Sequence, residues 1–156
     1  MRKLLLILLM WVSPFVQAAD ETVFRHSINK PMNEVYDRVY KELEQQGFYV
    51  VFEANIGKNL SNFADKWGED YNRSKLDGIR SLVFCNGGYA NQVSNADPVM
   101  LAICPLHITL IEKAGATTAL FVRPSVIAAN SPAHTVLLEV ETKIINAIKT
   151  AMPSPE

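Results

Sequence analysis

Residues 106–123 read LHITLIEKAGATTALFVR. Two runs rich in β-branched and aromatic residues, Leu106–Glu112 and Thr117–Arg123, flank the turn Lys113-Ala114-Gly115-Ala116. Gly115 is free to take positive φ, so the stretch predicts an antiparallel hairpin. A hairpin set among helical segments argues for an α+β domain rather than a parallel α/β repeat.

Toward the C-terminus, Ser131-Pro132 opens a last helix, with serine as N-cap and proline in the first turn. Its inward face is Val136, Leu137, Val140, Ile144, Ala147 and Ile148, and Glu139 pairs with Lys143 on the solvent side. Residues 152–156 (MPSPE) read as a frayed tail. Toward the N-terminus, Ile79 to Asn86 is a strand ended by Gly87-Gly88, and Tyr89 to Leu101 is a short helical or irregular segment broken near Asp97-Pro98. Residues 72–78 are a polar loop, preceded by a helix over Asn59–Tyr71 capped by Asn59 or Ser61. Phe48 to Ile56 alternates as a strand, with Phe48, Val50 and Phe52 on its apolar face. A helix opened by Pro31 carries Met32, Val35, Tyr36, Val39, Tyr40 and Leu43 on one face, and Gly47 stops it. Thr22 to Ile28 is the first strand. Tyr36, Tyr40, Phe48, Phe52, Phe63 and Trp67 read as core aromatics. The expected architecture is one domain, residues 20–151, in the order β-α-β-α-β-α-β-β-α, with helices packed on a curved, mainly antiparallel sheet.

The first residues predict an address. Arg2 and Lys3 form a positive start, Leu4–Val12 an apolar core, and Val16-Gln17-Ala18 a cleavage site. Residues 1–18 therefore read as a signal peptide. The apolar run is shorter than the roughly 20 residues needed to span a bilayer. Cleavage leaves 138 residues, with 13 basic against 16 acidic side chains and a formal charge of −3. That balance excludes the basic footprint of a nucleic-acid binder, and no later stretch is apolar enough to span a membrane. A soluble periplasmic or secreted protein is expected.

Export sets the reading of Cys85 and Cys104, the two cysteines. An even count in an oxidising compartment points to a disulfide, closing a loop of about 20 residues and stabilising by roughly 3 kcal/mol. Two buried thiols are the alternative, and a redox pair or a soft metal site are the functional ones. The spacing is not the C-x-x-C of thioredoxin-like pairs. His107, three residues after Cys104, would complete a Cys85, Cys104 and His107 set for copper or haem iron if Pro105 bends the strand. No cofactor is otherwise expected. Arg123, at a strand end, can clamp an anionic ligand or pair with Glu112 or Asp97.

The segments Leu82-Val83-Phe84-Cys85-Asn86, Asp97-Pro98, Cys104-Pro105-Leu106-His107-Ile108 and Phe121-Val122-Arg123-Pro124-Ser125 resemble, in order and spacing, the domain-of-unknown-function 302 family, as does Gln46-Gly47-Phe48-Tyr49-Val50. The resemblance covers roughly residues 22–150. It implies a compact α+β fold on a curved antiparallel sheet, often paired as a dimer, and no agreed activity. The cysteine pair is then a feature of an exported subgroup.

Enzyme signatures are missing: the chain has no G-x-S-x-G, P-loop, H-E-x-x-H or G-x-G-x-x-G. The leading expectation is a non-enzymatic binding or accessory module of the cell envelope. It would hold a small ligand or an envelope partner on one face of the sheet, or near Cys85, Asn86, Cys104 and Arg123, with Asn86, His107 and Arg123 as candidate ligand contacts. The alternative is a thiol-redox or haem- or copper-handling protein. A homodimer through the edge strand 22–28 is a third possibility.

Overall fold

The computed structural model describes residues 22–153. The signal peptide read over residues 1–18 lies outside them. The chain runs β1 (Val23–Ile28), α1 (Met32–Gln45), β2 (Tyr49–Ala54), α2 (Ile56–Ser61), α3 (Ala64–Trp67), β3 (Gly78–Cys85), α4 (Gly87–Ala96), β4 (Leu106–Lys113), β5 (Ala116–Val122), α5 (Pro124–Ile127) and α6 (His134–Ala151). Short 3₁₀ turns follow α3 (Gly68–Asp70) and α4 (Pro98–Ile103). The five strands form one open sheet in the order β1-β5-β4-β3-β2, every neighbouring pair antiparallel. The expected α+β class and single domain are therefore present.

The hairpin that decides the class closes with Lys113 opposite Ala116. Ala114 and Gly115 both take positive φ, 51° and 74°, the geometry of a two-residue I′ loop. The Ala114 N–H donates to Asp77 Oδ2 at 2.7 Å, which holds an alanine in a conformation glycine would adopt more readily. Along β3, β4 and β5 the pleat sends Leu82, Phe84, Ile108, Leu110, Ala119 and Phe121 to one face, where they are fully buried with Val35, Val39 and Leu43 of α1 and Ile144 and Ile148 of α6. Removing these side chains from water is the main stabilising term, at roughly 1.5–3 kcal/mol each.

α1 ends as expected at Gly47, whose φ is +80°. Gly47 N donates to Glu44 O and Phe48 N to Leu43 O, both at 2.9 Å. This is a Schellman closure, and it seats Phe48 beside Leu43 in the core.

Four elements depart from the sequence reading. β2 is bulged between Val50 and Phe52, so strict alternation fails and Phe52 turns outward, 62% exposed. A bulge sets two residues against one and moves every later side chain to the other face. The helix expected over 59–71 begins earlier, at Ile56, capped by Asn55 Oδ1 accepting from Lys58 N at 2.9 Å. It then breaks into α2, α3 and a 3₁₀ turn, leaving Phe63 and Trp67 stacked on each other at the surface rather than in the core. α6 starts at His134, with Ser131 Oγ instead accepting from Ala133 N and donating to Asp97 Oδ2. Finally, Met152 is fully buried in the main core, and its carbonyl accepts from His26 Nε2 at 2.6 Å. Met152 is thus part of the core and not of a frayed tail, and residues 154–156 lie outside the described ones.

A smaller core, Val93, Ala128, Ala133 and Leu137, joins α4, the 98–103 turn and α6. Among the described residues no helix is long and apolar enough to cross a membrane.

Candidate functional site

β3 runs out at Cys85, and the chain returns to the sheet through Cys104 and a cis Cys104–Pro105 bond into β4. Because β3 and β4 are paired neighbours, with Phe84 opposite Leu106, the end of one and the start of the other meet. The two sulfurs lie 3.8 Å apart. The thiols therefore converge as the sequence suggested, but they are free in this structure and not bonded, since a disulfide needs about 2.05 Å. Burial first, and then the neighbouring Cys85 thiol, push the Cys104 thiol up to about 11. The shift favours the neutral thiol over the thiolate at Cys104.

Both cysteines border a cavity of about 30 Å³, walled by Phe48, Phe84, Tyr89, Met100 and Leu137 among others. α4 and the 98–103 turn form its roof. Tyr89 fastens that roof: its ring stacks on Phe48 at 5.8 Å, and its hydroxyl donates to Glu139. Burial and this hydrogen bond raise the Tyr89 hydroxyl to about 12. Glu139 is thus held by Tyr89 rather than pairing with Lys143.

Two of the three ligand candidates, Asn86 and Arg123, are engaged within the fold. Asn86 caps α4, its Oδ1 accepting from Tyr89 N at 3.0 Å, while its Nδ2 donates to Gly47 O at 2.8 Å. With both side-chain atoms engaged it is a structural tie between the α1–β2 turn and α4. Asn86→Ala should lower stability by about 2 kcal/mol, one from the cap and one from the lost tie, read from chemical denaturation. Arg123 pairs neither with Glu112, which accepts from Met32 N, nor with Asp97, which caps the 98–103 turn. Its Nε donates to Glu141 Oε1 at 2.7 Å. Glu141 is buried in α6 and also accepts from the Ser125 N–H and hydroxyl. The side chain expected to clamp a ligand thus clamps α5 to α6. His107 lies exposed on β4, in a separate hollow of about 190 Å³ with Pro105, Phe121, Val122 and Ile127. It does not line the thiol cavity, so the Cys85, Cys104 and His107 metal set is not assembled. The cause is the pleat: Pro105 does not turn His107 back toward Cys104. Among the described residues no three His, Cys, Asp or Glu side chains gather to hold a metal.

A larger hollow, about 490 Å³, is elsewhere. It lies between α2, the 68–72 turns and the start of β3, and is lined by Leu60, Trp67, Tyr71, Leu76 and Ile79 with Lys58 and Asp77 among its polar groups. Its volume falls in the range of small-molecule sites, roughly 300–1,000 Å³.

The family model described as domain of unknown function DUF302 matches residues 24–151. The chain belongs to the DUF302 family. The family resemblance read from residues 82–125 is thereby confirmed. The DUF302 fold is also similar to the crystal structure of an uncharacterized conserved DUF302 protein from Bacillus stearothermophilus, with a TM-score of 0.71 and 19% identity over 83% of this chain and 98% of that one. At that identity the likeness speaks for the fold alone. A search of the curated proteins matched none.

Within this DUF302 chain, the sequence reading missed the Trp67 groove because it assigned Leu60, Phe63 and Trp67 to a buried helix face. One signal was available. Residues 68–78 (GEDYNRSKLDG) contain too few apolar side chains to cover the preceding helix, so its aromatic residues had to face water or a ligand.

Proposed function

We propose that this DUF302 protein is an exported, non-enzymatic binding module of the cell envelope that holds a small, partly apolar ligand in the groove walled by Trp67 and Tyr71. The observation that carries this reading is the groove itself: ligand-sized, with a tryptophan 40% exposed on its wall. Exposed aromatic side chains beside a few polar groups are the usual lining of small-molecule sites. On oxidation, Cys85 and Cys104 close into a bridge that staples the base of the 86–103 roof. A homodimer through the edge strand β1 belongs to the same proposal and is read from mass in solution.

Cleavage after Ala18 removes Trp11 and leaves Trp67 as the sole tryptophan. Its fluorescence therefore reports on the groove alone. Titration of the mature protein with the apolar dye anilinonaphthalene sulfonate should quench Trp67 by energy transfer, and Trp67→Ala should weaken dye binding by about tenfold, roughly 1.4 kcal/mol. Dye bound without any change in Trp67 emission, or equally well by the variant, would place the ligand elsewhere. Mass spectrometry of the envelope fraction tests export: a chain retaining residues 1–18 counts against it.

A second reading, a cycling thiol pair, is favoured by the sulfur contact at 3.8 Å. A bridge that stays oxidised down to about −300 mV behaves as a structural disulfide and ends that reading.

A further inference from the structure

The cavity at Cys85 and Cys104 is too small for an organic ligand. At about 30 Å³ it admits a body the size of one or two waters. Its chemistry is unusual for its size. Three of its lining residues carry sulfur, namely Cys85, Cys104 and Met100, and nearly all the others present carbon. The polar groups beside it are spent: Asn86 bonds to Gly47 O and Tyr89 N, and the Tyr89 hydroxyl bonds to Glu139. No carboxylate or imidazole lines it. A hard cation would find no oxygen cage there, and zinc would lack its four donors. Thiolate and thioether donors among largely apolar neighbours select a soft ion, above all Cu(I).

The sulfur geometry agrees. Two metal–sulfur bonds of about 2.3 Å, opened to about 110–120°, set their sulfurs roughly 3.8–4.0 Å apart. Cys85 and Cys104 stand at 3.8 Å.

We propose that the reduced pair Cys85 and Cys104, completed by the Met100 thioether, binds a single Cu(I) ion. Binding replaces the two thiol protons, which pass to solvent, and moves no electrons: copper enters and remains as Cu(I). The bound unit carries one negative charge, which water can screen because both cysteines are half-exposed. Copper and the disulfide exclude each other, since each uses both sulfurs. This site is separate from the Trp67 groove, so either assignment can fail alone.

The test uses the mature protein, reduced and kept free of oxygen, titrated with Cu(I) in competition with a colorimetric Cu(I) chelator. The protein should withdraw one equivalent of copper, develop near-ultraviolet thiolate-to-copper absorption, and lose its reactivity toward a thiol-alkylating reagent. Cys104→Ser should weaken binding by more than about a hundredfold, beyond the 10–100-fold typical of outer-shell changes, and Met100→Leu by about tenfold. His107→Ala should leave it unchanged. Should Cys104→Ser fail to fold, Met100→Leu and the alkylation of wild type still decide. The proposal is overturned if the chelator keeps all the copper, if Met100→Leu binds as tightly as wild type, or if His107→Ala weakens binding as much as Met100→Leu does.

Discussion

Arg123→Ala should lower the free energy of unfolding by about 3–5 kcal/mol, the usual consequence of stripping one partner from a buried ion pair. The asymmetry of the pair sets the size of the effect. The Arg123 side chain is 34% exposed, whereas Glu141 is 3% exposed. Water can solvate the arginine if its partner leaves, but it cannot reach the carboxylate. Without Arg123 Nε at 2.7 Å, Glu141 keeps only the two Ser125 donors for a full negative charge. Glu141→Ala should cost less, at the lower end of that range, because the charge left behind is the half-solvated one. Urea denaturation with unchanged slope is the measurement. A loss below about 1 kcal/mol from Arg123→Ala would rank the pair with exposed surface bridges. Because both residues sit outside the Trp67 groove and the sulfur cavity, dye and copper binding should survive in whatever fraction stays folded.

Phe84→Ala should be as damaging, at about 3–5 kcal/mol. Phe84 is fully buried at the point where the main core meets the sulfur cavity. Its ring packs edge to face against Phe48 at 6.0 Å, and Phe48 in turn stacks on Tyr89 of the roof. Truncation removes a large transfer term and leaves a void continuous with the existing cavity, which pleated strands paired on both sides cannot collapse to fill. The same change should enlarge the space below Cys85 and Cys104, so xenon uptake is expected in the variant and not in the wild type. Phe84→Leu, which keeps most of the volume, should recover about half of the stability. Equal losses for leucine and alanine would mean that the ring edge contact, not the volume, matters at this position.

Most of the element order was legible because short-range patterns report local backbone choice. The i, i+3, i+4 spacing of Met32, Val35, Tyr36, Val39 and Leu43 gave the α1 face, and all five side chains are buried. The hairpin at 113–116 was written in its turn residues. Reading failed where long-range neighbours overrode a local period. Phe52 lost its core position to the bulge at Val51, and a bulge answers to the partner strand, not to the sequence on either side of it. Met152 looked like a tail, yet His26, 126 residues away, holds its carbonyl.

For the site, the chain's own sequence determined that two thiols flank the ends of two strands and that the family is DUF302. These follow from residue type, spacing and order. Only the tertiary structure decided that the thiols lie 3.8 Å apart while His107 stands in another hollow, and that Met100 lines the thiol cavity. It also decided the partners of Asn86 and Arg123, namely Gly47, Tyr89 and Glu141. The reason is common to all of them: hydrogen-bond and sulfur partners are chosen by which surfaces pack together, and sheet register joins residues with no closeness in sequence. The pairing of β3 with β4 brings Cys85 to Cys104, and the same pleat that buries Ile108 sends His107 away.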